Sequence, residues 1–205
     1  MEVDDRTLAS IAAYDEHADA YQQLFRMKRP STSVHRFAEW AGRGALVADI
    51  GCGPANDLRL LSDAGLHPVG IDASLGALRH ARLLMPRHAL VRAFMHDLPF
   101  PVDTFSGMWL SSAFTHLPRA QWPHVFGHLM TRMGSGPVYF SCYRGTADME
   151  LVDDQVLGPV HRSQATEGEV QSLLDNHGFS DVTVELRGDP IVDRRRPWVV
   201  AMGRR

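Results

Sequence analysis

Asp49 ends a short apolar run, Ala45-Leu46-Val47-Ala48, and the chain then breaks into a glycine turn, Gly51-Cys52-Gly53. A second apolar run, Pro68-Val69-Gly70-Ile71, ends in another acid, Asp72. Glycine lets backbone come close to a ligand and adopt conformations that side chains forbid. Two parallel strands joined by a helix, with such a turn after the first, make half of a nucleotide-binding fold. Asp49 restricts the nucleotide. A carboxylate two residues before the first glycine would repel a pyrophosphate and suits a ligand with a cationic amino-acid end. Asp72 can accept hydrogen bonds from a ribose diol.

A third element is Met95-His96-Asp97-Leu98-Pro99-Phe100. Placed after a third strand, Asp97 can accept from the exocyclic amine of an adenine while the Leu98 N–H donates to a ring nitrogen. The other reading of Asp97 is a plain surface-loop acid. Cationic amino acid, ribose and adenine together describe S-adenosylmethionine (SAM). A dinucleotide oxidoreductase fits less well: Asp49 opposes it, and Ala55 stands where its fingerprint has a third glycine.

Hydrophobic periodicity supplies the elements that must hold these residues. Helical spacing runs through the first thirty residues (Leu8, Ile11, Ala12, then Ala18, Tyr21, Leu24, Phe25), and Arg29-Pro30-Ser31 breaks it. Ser31 or Thr32 caps a helix through Trp40. Strands are expected at Leu46 to Asp49, Val69 to Ile71, Leu90 to Phe94, Phe105 to Leu110, Val138 to Tyr143, Val182 to Leu186 and Pro197 to Met202. Helices fall at Asn56 to Ala64, from a cap at Ser74 to Met85, at Arg119 to Arg132, and at Glu167 to His177. Alternating strands and helices imply a doubly wound α/β fold: a seven-stranded, mostly parallel sheet with helices on both faces. The last two strands lack a helix between them and should form an antiparallel hairpin at one edge. Ligands then lie beyond the carboxyl ends of the strands, where Asp49, Asp72, Asp97 and Ser111 converge.

These elements resemble the class I SAM-dependent methyltransferases, in particular small bacterial members acting on small molecules. Phe105-Ser106-Gly107-Met108-Trp109-Leu110-Ser111-Ser112-Ala113-Phe114-Thr115-His116-Leu117-Pro118 is similar to their fourth-strand motif, and Gly178-Phe179 and Arg196-Pro197-Trp198-Val199-Val200 to their C-terminal segments. The resemblance runs from about Tyr14 to Arg205, and its motifs are specific to the nucleotide site, not to the acceptor. It implies a Rossmann-like fold with residues 1–42 as an N-terminal helical lid and 43–205 as the SAM-binding unit, together one structural domain. Gly51 with neighbours Cys52 and Gly53 would hold the methionyl end, Asp72 beside Ala73 the ribose, and Leu75 would pack on the adenine that His96, Asp97 and Leu98 border. Ser111 would lie beneath the sulfonium. Tyr14 and Tyr21 belong to a segment similar to the family's lid helix, closing over the methionyl carboxylate and the acceptor; the alternative is that they only pack this helix onto the domain. Two departures stand out: Ala55 replaces the third small glycine, and Gly134-Ser135-Gly136-Pro137 replaces the common basic turn before the fifth strand.

Methyl transfer from a sulfonium is an in-line displacement whose leaving group needs no acid, so the protein mainly aligns the reactants in a dry site. A base matters when the acceptor holds its proton tightly, and then contributes about 10²–10⁴-fold. His116, following the fourth strand, is the first candidate, against a reading as a loop-packing histidine; Tyr143 and His161 follow. Arg144 either pairs with an acidic acceptor or faces solvent. His124 and His128, four apart on a helix, lack a third ligand at fitting spacing, and no metal is expected. Arg194-Arg195-Arg196 reads first as a solvated turn, then as a contact for an acidic substrate, and last as a nucleic-acid contact.

The 205 residues suffice for one full core, and 44% hydrophobic with 22% charged residues is ordinary for a globular protein. A net charge of -3 argues against binding a nucleic-acid backbone. No apolar run reaches the roughly 20 residues of a membrane span. Two cysteines, Cys52 and Cys142, and an acidic N-terminus without a leader pattern point to the cytoplasm. The expected partners are SAM, with S-adenosylhomocysteine (SAH) as product, and a small-molecule acceptor; the chain is a monomer or homodimer. Two rival functions remain at this point: a SAM-binding enzyme without methyl transfer, of the cyclase or decarboxylase kind, and a non-catalytic SAM-binding partner protein.

Overall fold

The computed structural model describes residues 2–25, 32–188 and 197–205. Chain order is α1 (Asp5–Glu16), α2 (Ala18–Phe25), α3 (Thr32–Ala41), β1 (Leu46–Ile50), α4 (Asn56–Asp63), β2 (His67–Asp72), α5 (Leu75–Leu84), β3 (Leu90–Arg92), β4 (Met108–Ser111), α6 (Trp122–Thr131), β5 (Pro137–Tyr143), β6 (Glu150–Asp154), β7 (Gly158–Arg162), α7 (Glu167–Asp175), β8 (Ser180–Gly188) and β9 (Pro197–Arg204). Two 3₁₀ turns, Ala113–His116 and Arg119–Gln121, connect β4 to α6. The expected helix break at Arg29-Pro30-Ser31, the cap at Ser31 and the Arg194-Arg195-Arg196 turn lie outside the described residues.

Seven strands form one sheet in the order β3-β2-β1-β4-β5-β9-β8. The first five are parallel, and β9 inserts antiparallel between β5 and β8. The expected sheet and edge hairpin are both present, with the last strand inside rather than outermost. Alternate residues of each strand serve opposite faces. Ala48, Leu110 and Phe140 join one apolar layer with Phe126 and Leu129 of α6 and Leu173 and Leu174 of α7. Val47, Trp109 and Tyr139 join the other, under Phe37 of α3 and Leu60 and Leu61 of α4. Trp109 and Tyr139 stack with centroids 3.7 Å apart, and the indole N–H donates to Asp57 at 3.0 Å.

Three expectations need correction. The third strand stops at Arg92, not Phe94; residues 93–98 leave the sheet and turn, with the Asp97 N–H donating to the Phe94 carbonyl at 3.0 Å. The fourth strand begins at Met108, Phe105 making only an isolated bridge to Met133. A second, two-stranded sheet, β6 with β7, stands in the stretch between β5 and α7 where no strand was expected. It packs against α1. The Ser10 hydroxyl accepts the His161 N–H at 3.1 Å.

Candidate functional site

The turn after β1 owes its shape to its glycines. Gly51 and Gly53 have φ of +68° and +52°, and a Cβ on Gly51 would sit 3.0 Å from that of Ala113. The Gly51 and Cys52 N–H groups donate to the Ile71 carbonyl at 2.8 and 3.1 Å, fastening the turn to the end of β2. Ala55 also takes a left-handed conformation, φ +70°, at the N-terminus of α4. This departure from the glycine fingerprint is therefore held under backbone strain, since a Cβ disfavours that region.

Asp72 ends β2 and clamps the same turn. One carboxylate oxygen accepts from the Gly53 N–H and the other from the Ser74 N–H, each at 2.8 Å. Burial raises its pKa, and those two hydrogen bonds oppose the rise. Ser74 caps α5 through the Ala77 N–H at 3.0 Å and donates its hydroxyl to Asp15 of α1 at 2.6 Å. The same Asp15 oxygen accepts the Gly76 N–H at 2.7 Å. Gly76 leaves the room this needs, because a Cβ there would meet the Asp15 carbonyl oxygen at 2.9 Å.

On the far side of the cavity, Tyr14 lies beside His116. The tyrosine hydroxyl is 3.1 Å from Nε2 of the imidazole, and Nδ1 is 3.1 Å from the His161 carbonyl oxygen. A carbonyl only accepts, so Nδ1 carries the proton and Nε2 accepts from Tyr14. Burial, reinforced by Arg162, pushes the His116 pKa down to about 4, which keeps the ring neutral. Burial raises the Tyr14 pKa as well. Thr7 donates to the His116 carbonyl at 2.7 Å, so α1 holds both faces of this residue. Ser112, between β4 and the turn bearing His116, has φ +62° and donates its N–H to the Ser141 carbonyl at 3.0 Å.

One cavity joins the two sides at the carboxyl ends of β1, β2 and β4. Of the residues singled out from sequence, Gly51, Gly53, Asp72, Ala73, His96, Ser111, Tyr14, Tyr21 and His116 line it. Seven others do not. Asp49 is 1% exposed, level with Trp109 on the α3–α4 face of the sheet. Cys52 is buried against Gly70, and burial raises its thiol pKa strongly. Leu75 starts α5 and is largely exposed, Asp97 is exposed on its turn, and Leu98 is buried in the core. Tyr143 packs between Trp198 and the Arg162 guanidinium, which lies 4.9 Å from its ring centre. His161 contributes its carbonyl to His116 rather than its imidazole. The stretch after β3 reaches the cavity through Ala93, Phe94, Met95 and His96. Sequence reasoning missed the Val3, Asp4, Thr7 and Ile11 wall and the Ser112, Leu117 and Gln121 wall. The helical period of α1 was the available signal for the first; short turns leave none for the second. Among the described residues no group of three or more His, Cys, Asp or Glu could hold a metal, and no helix is long and apolar enough to cross a membrane.

Residues 47–136, from β1 to the turn before β5, match the model of a methyltransferase domain. No curated protein compared with the chain matches it. Among solved structures, the fold is shared with 1,6-didemethyltoxoflavin N1-methyltransferase of Burkholderia thailandensis, bound to 1,6-didemethyltoxoflavin and SAH. That pair is 15% identical with a TM-score of 0.72, covering 100% of this chain and 92% of the other. Magnesium protoporphyrin IX methyltransferase of Synechocystis, with bound SAM, is 15% identical with a TM-score of 0.69, covering 100% and 99%. A putative methyltransferase of Haloferax volcanii, in complex with a methyltransferase activator, is 18% identical with a TM-score of 0.73, covering 95% and 96%.

Proposed function

We propose that this chain is a SAM-dependent methyltransferase that methylates an oxygen, nitrogen or carbon atom of a small molecule. The observation that carries the reading is the single cavity with a glycine–aspartate cradle at one end and a neutral histidine–tyrosine pair at the other. The residues suit SAM: Gly51 leaves space that a Cβ would fill, and Asp72 keeps lone pairs for ribose hydroxyls beyond its two backbone donors. Ala73, Phe94 and His96 border the adenosine end, and Ser111 and Ser112 face the transfer point. SAM supplies an electrophilic methyl group on a cationic sulfur; the chain's own work is to align the acceptor and exclude water. Residues 1–42 act as the lid-bearing segment, with α1 and α2 roofing the cavity, and 43–205 as the cofactor-binding unit.

Two of the compared enzymes carry small-molecule names, 1,6-didemethyltoxoflavin and magnesium protoporphyrin IX, which supports the substrate class without specifying it. The test is incubation with SAM and pools of hydroxyl and amine metabolites, read by mass. The reading predicts SAH together with a product heavier by CH₂. Consumption of SAM with neither SAH nor such a product rejects it in favour of a SAM-using enzyme of another kind, and SAM binding without turnover favours a partner-dependent protein.

A further inference from the structure

We propose that Tyr14 is the group that takes the acceptor's proton, with His116 as the base behind it, and that the acceptor is therefore one that surrenders an O–H or N–H proton as it is methylated. This rests on the methyl-transfer reading and narrows it.

The direction of the hydrogen bonds carries the argument. The His161 carbonyl fixes the proton on Nδ1 of His116, so the Tyr14 O–H must point at Nε2. Tyr14 cannot donate twice, so the hydrogen bond it shares with Tyr21 runs from the Tyr21 O–H to the Tyr14 oxygen. The phenolic oxygen of Tyr14 has one lone pair remaining, and Tyr14 lines the cavity with Ser111, Ser112 and His116. It is placed to accept from an acceptor X–H. In the hydrogen-bonded row Tyr21–Tyr14–His116 the basic nitrogen is Nε2 of His116, and Tyr14 stands between it and the acceptor.

Charge makes the relay feasible. In the transfer the X–C bond forms as the C–S bond breaks, and the sulfur keeps the electron pair. The X–H proton moves to the Tyr14 oxygen while the Tyr14 proton moves to Nε2 of His116. The site holds one positive charge before, on sulfonium, and one after, on imidazolium. The His116 pKa is low because the ring is buried beside Arg162, and loss of the sulfonium charge as the proton arrives leaves the net charge of the site unchanged. The charged and titratable groups around the ring are Tyr14 and Tyr21 from α1 and α2, Tyr143 from β5, Asp154 from β6 and Arg162 from β7. Arg162 is ion-paired with Asp154. The Tyr21 hydroxyl and Arg162 both favour negative charge developing on Tyr14. An acceptor with no proton to lose, such as a tertiary amine or thioether, would use none of this.

The experiment has two arms on the full chain. In the first, isotope-labelled histidine NMR of the SAH-bound protein reads the His116 tautomer. The relay requires a protonated Nδ1 and a bare Nε2 whose resonance moves in Tyr14→Phe; a protonated Nε2 at neutral pH overturns it. In the second, the protein is given SAM with 4-nitrocatechol, benzimidazole or N,N-dimethylaniline. Methylation of either protic probe, reduced at least 100-fold in Tyr14→Phe with SAH affinity within twofold, supports the relay. So does a rate that falls with the protonation of His116 near pH 4 in wild type. Methylation of a protic probe at equal rates in wild type and Tyr14→Phe overturns it; dimethylaniline, with no proton to lose, is the control whose rate Tyr14→Phe leaves unchanged. Loss of SAH binding in wild type would instead reject the underlying methyl-transfer reading.

Discussion

The Tyr14 hydroxyl lies 3.1 Å from Nε2 of His116, joining the first helix of the chain to the turn after β4. The imidazole is neutral because its other nitrogen donates to a carbonyl and because burial and Arg162 oppose a second proton. In the unfolded chain a histidine titrates near 6.5; in the fold His116 titrates near 4. Between these values the unfolded state binds the proton and the folded state does not. His116 therefore costs stability as pH falls from about 6.5 to 4 and nothing further below that, to a total of about 3 kcal/mol. Urea unfolding at pH 7 and pH 4.5 should show wild type losing about 2–3 kcal/mol more than His116→Asn. Equal losses would mean that the ring titrates normally in the fold.

Asp72 uses both carboxylate oxygens on backbone N–H groups of the cradle. Asp72→Ala removes the proposed ribose partner and releases the turn, and SAH affinity should fall by about 1–3 kcal/mol. Calorimetric titration measures this, and unchanged affinity would remove Asp72 from the site.

Gly76→Ala tests whether α1 is seated as described. In an exposed helix alanine would gain about 1 kcal/mol over glycine. Here its Cβ would lie 2.9 Å from the Asp15 carbonyl oxygen and 3.0 Å from the Asp15 Cα. Both atoms are backbone, so α1 must move. Faster hydrogen exchange in α1 is expected, with a net loss of about 1–2 kcal/mol. Unaltered protection would mean that α1 does not rest on α5.

Arg162 is nearly buried and held by Asp154 across the β6–β7 hairpin. Asp154→Ala strands a buried cation and should cost about 3 kcal/mol in chemical unfolding. The double change Asp154→Leu with Arg162→Met should cost clearly less, because no charge is left behind. A larger loss in the double variant would mean that the hairpin needs the ion pair itself.

The cradle was legible because each of its residues answers a local requirement. Gly51 and Gly53 need positive φ, Asp72 ends an apolar run, and Ser74 is a helix cap. The sheet was legible because its strands alternate with helices. What was not legible is what long-range packing decides. The end of β3 is one such case: the strand stops at Arg92, two residues before the expected Phe94, the next residues turn, and the Leu98 side chain is drawn into the core. The β6–β7 hairpin escaped notice because Glu150-Leu151-Val152-Asp153-Asp154 is short, polar and paired only with its neighbour, so it carries no clean alternation. His161 attracts attention for its imidazole, whereas the structure uses its carbonyl, which every residue possesses. The domain match begins at Val47, so the α1 residues that close the cavity lie outside it.

A SAM site at the cradle is tested most directly by parallel calorimetric titration of the purified protein with SAM, SAH and NADH. Micromolar binding of both adenosyl ligands and none of NADH is expected. Silence from SAM and SAH, or NADH binding in their place, would contradict it.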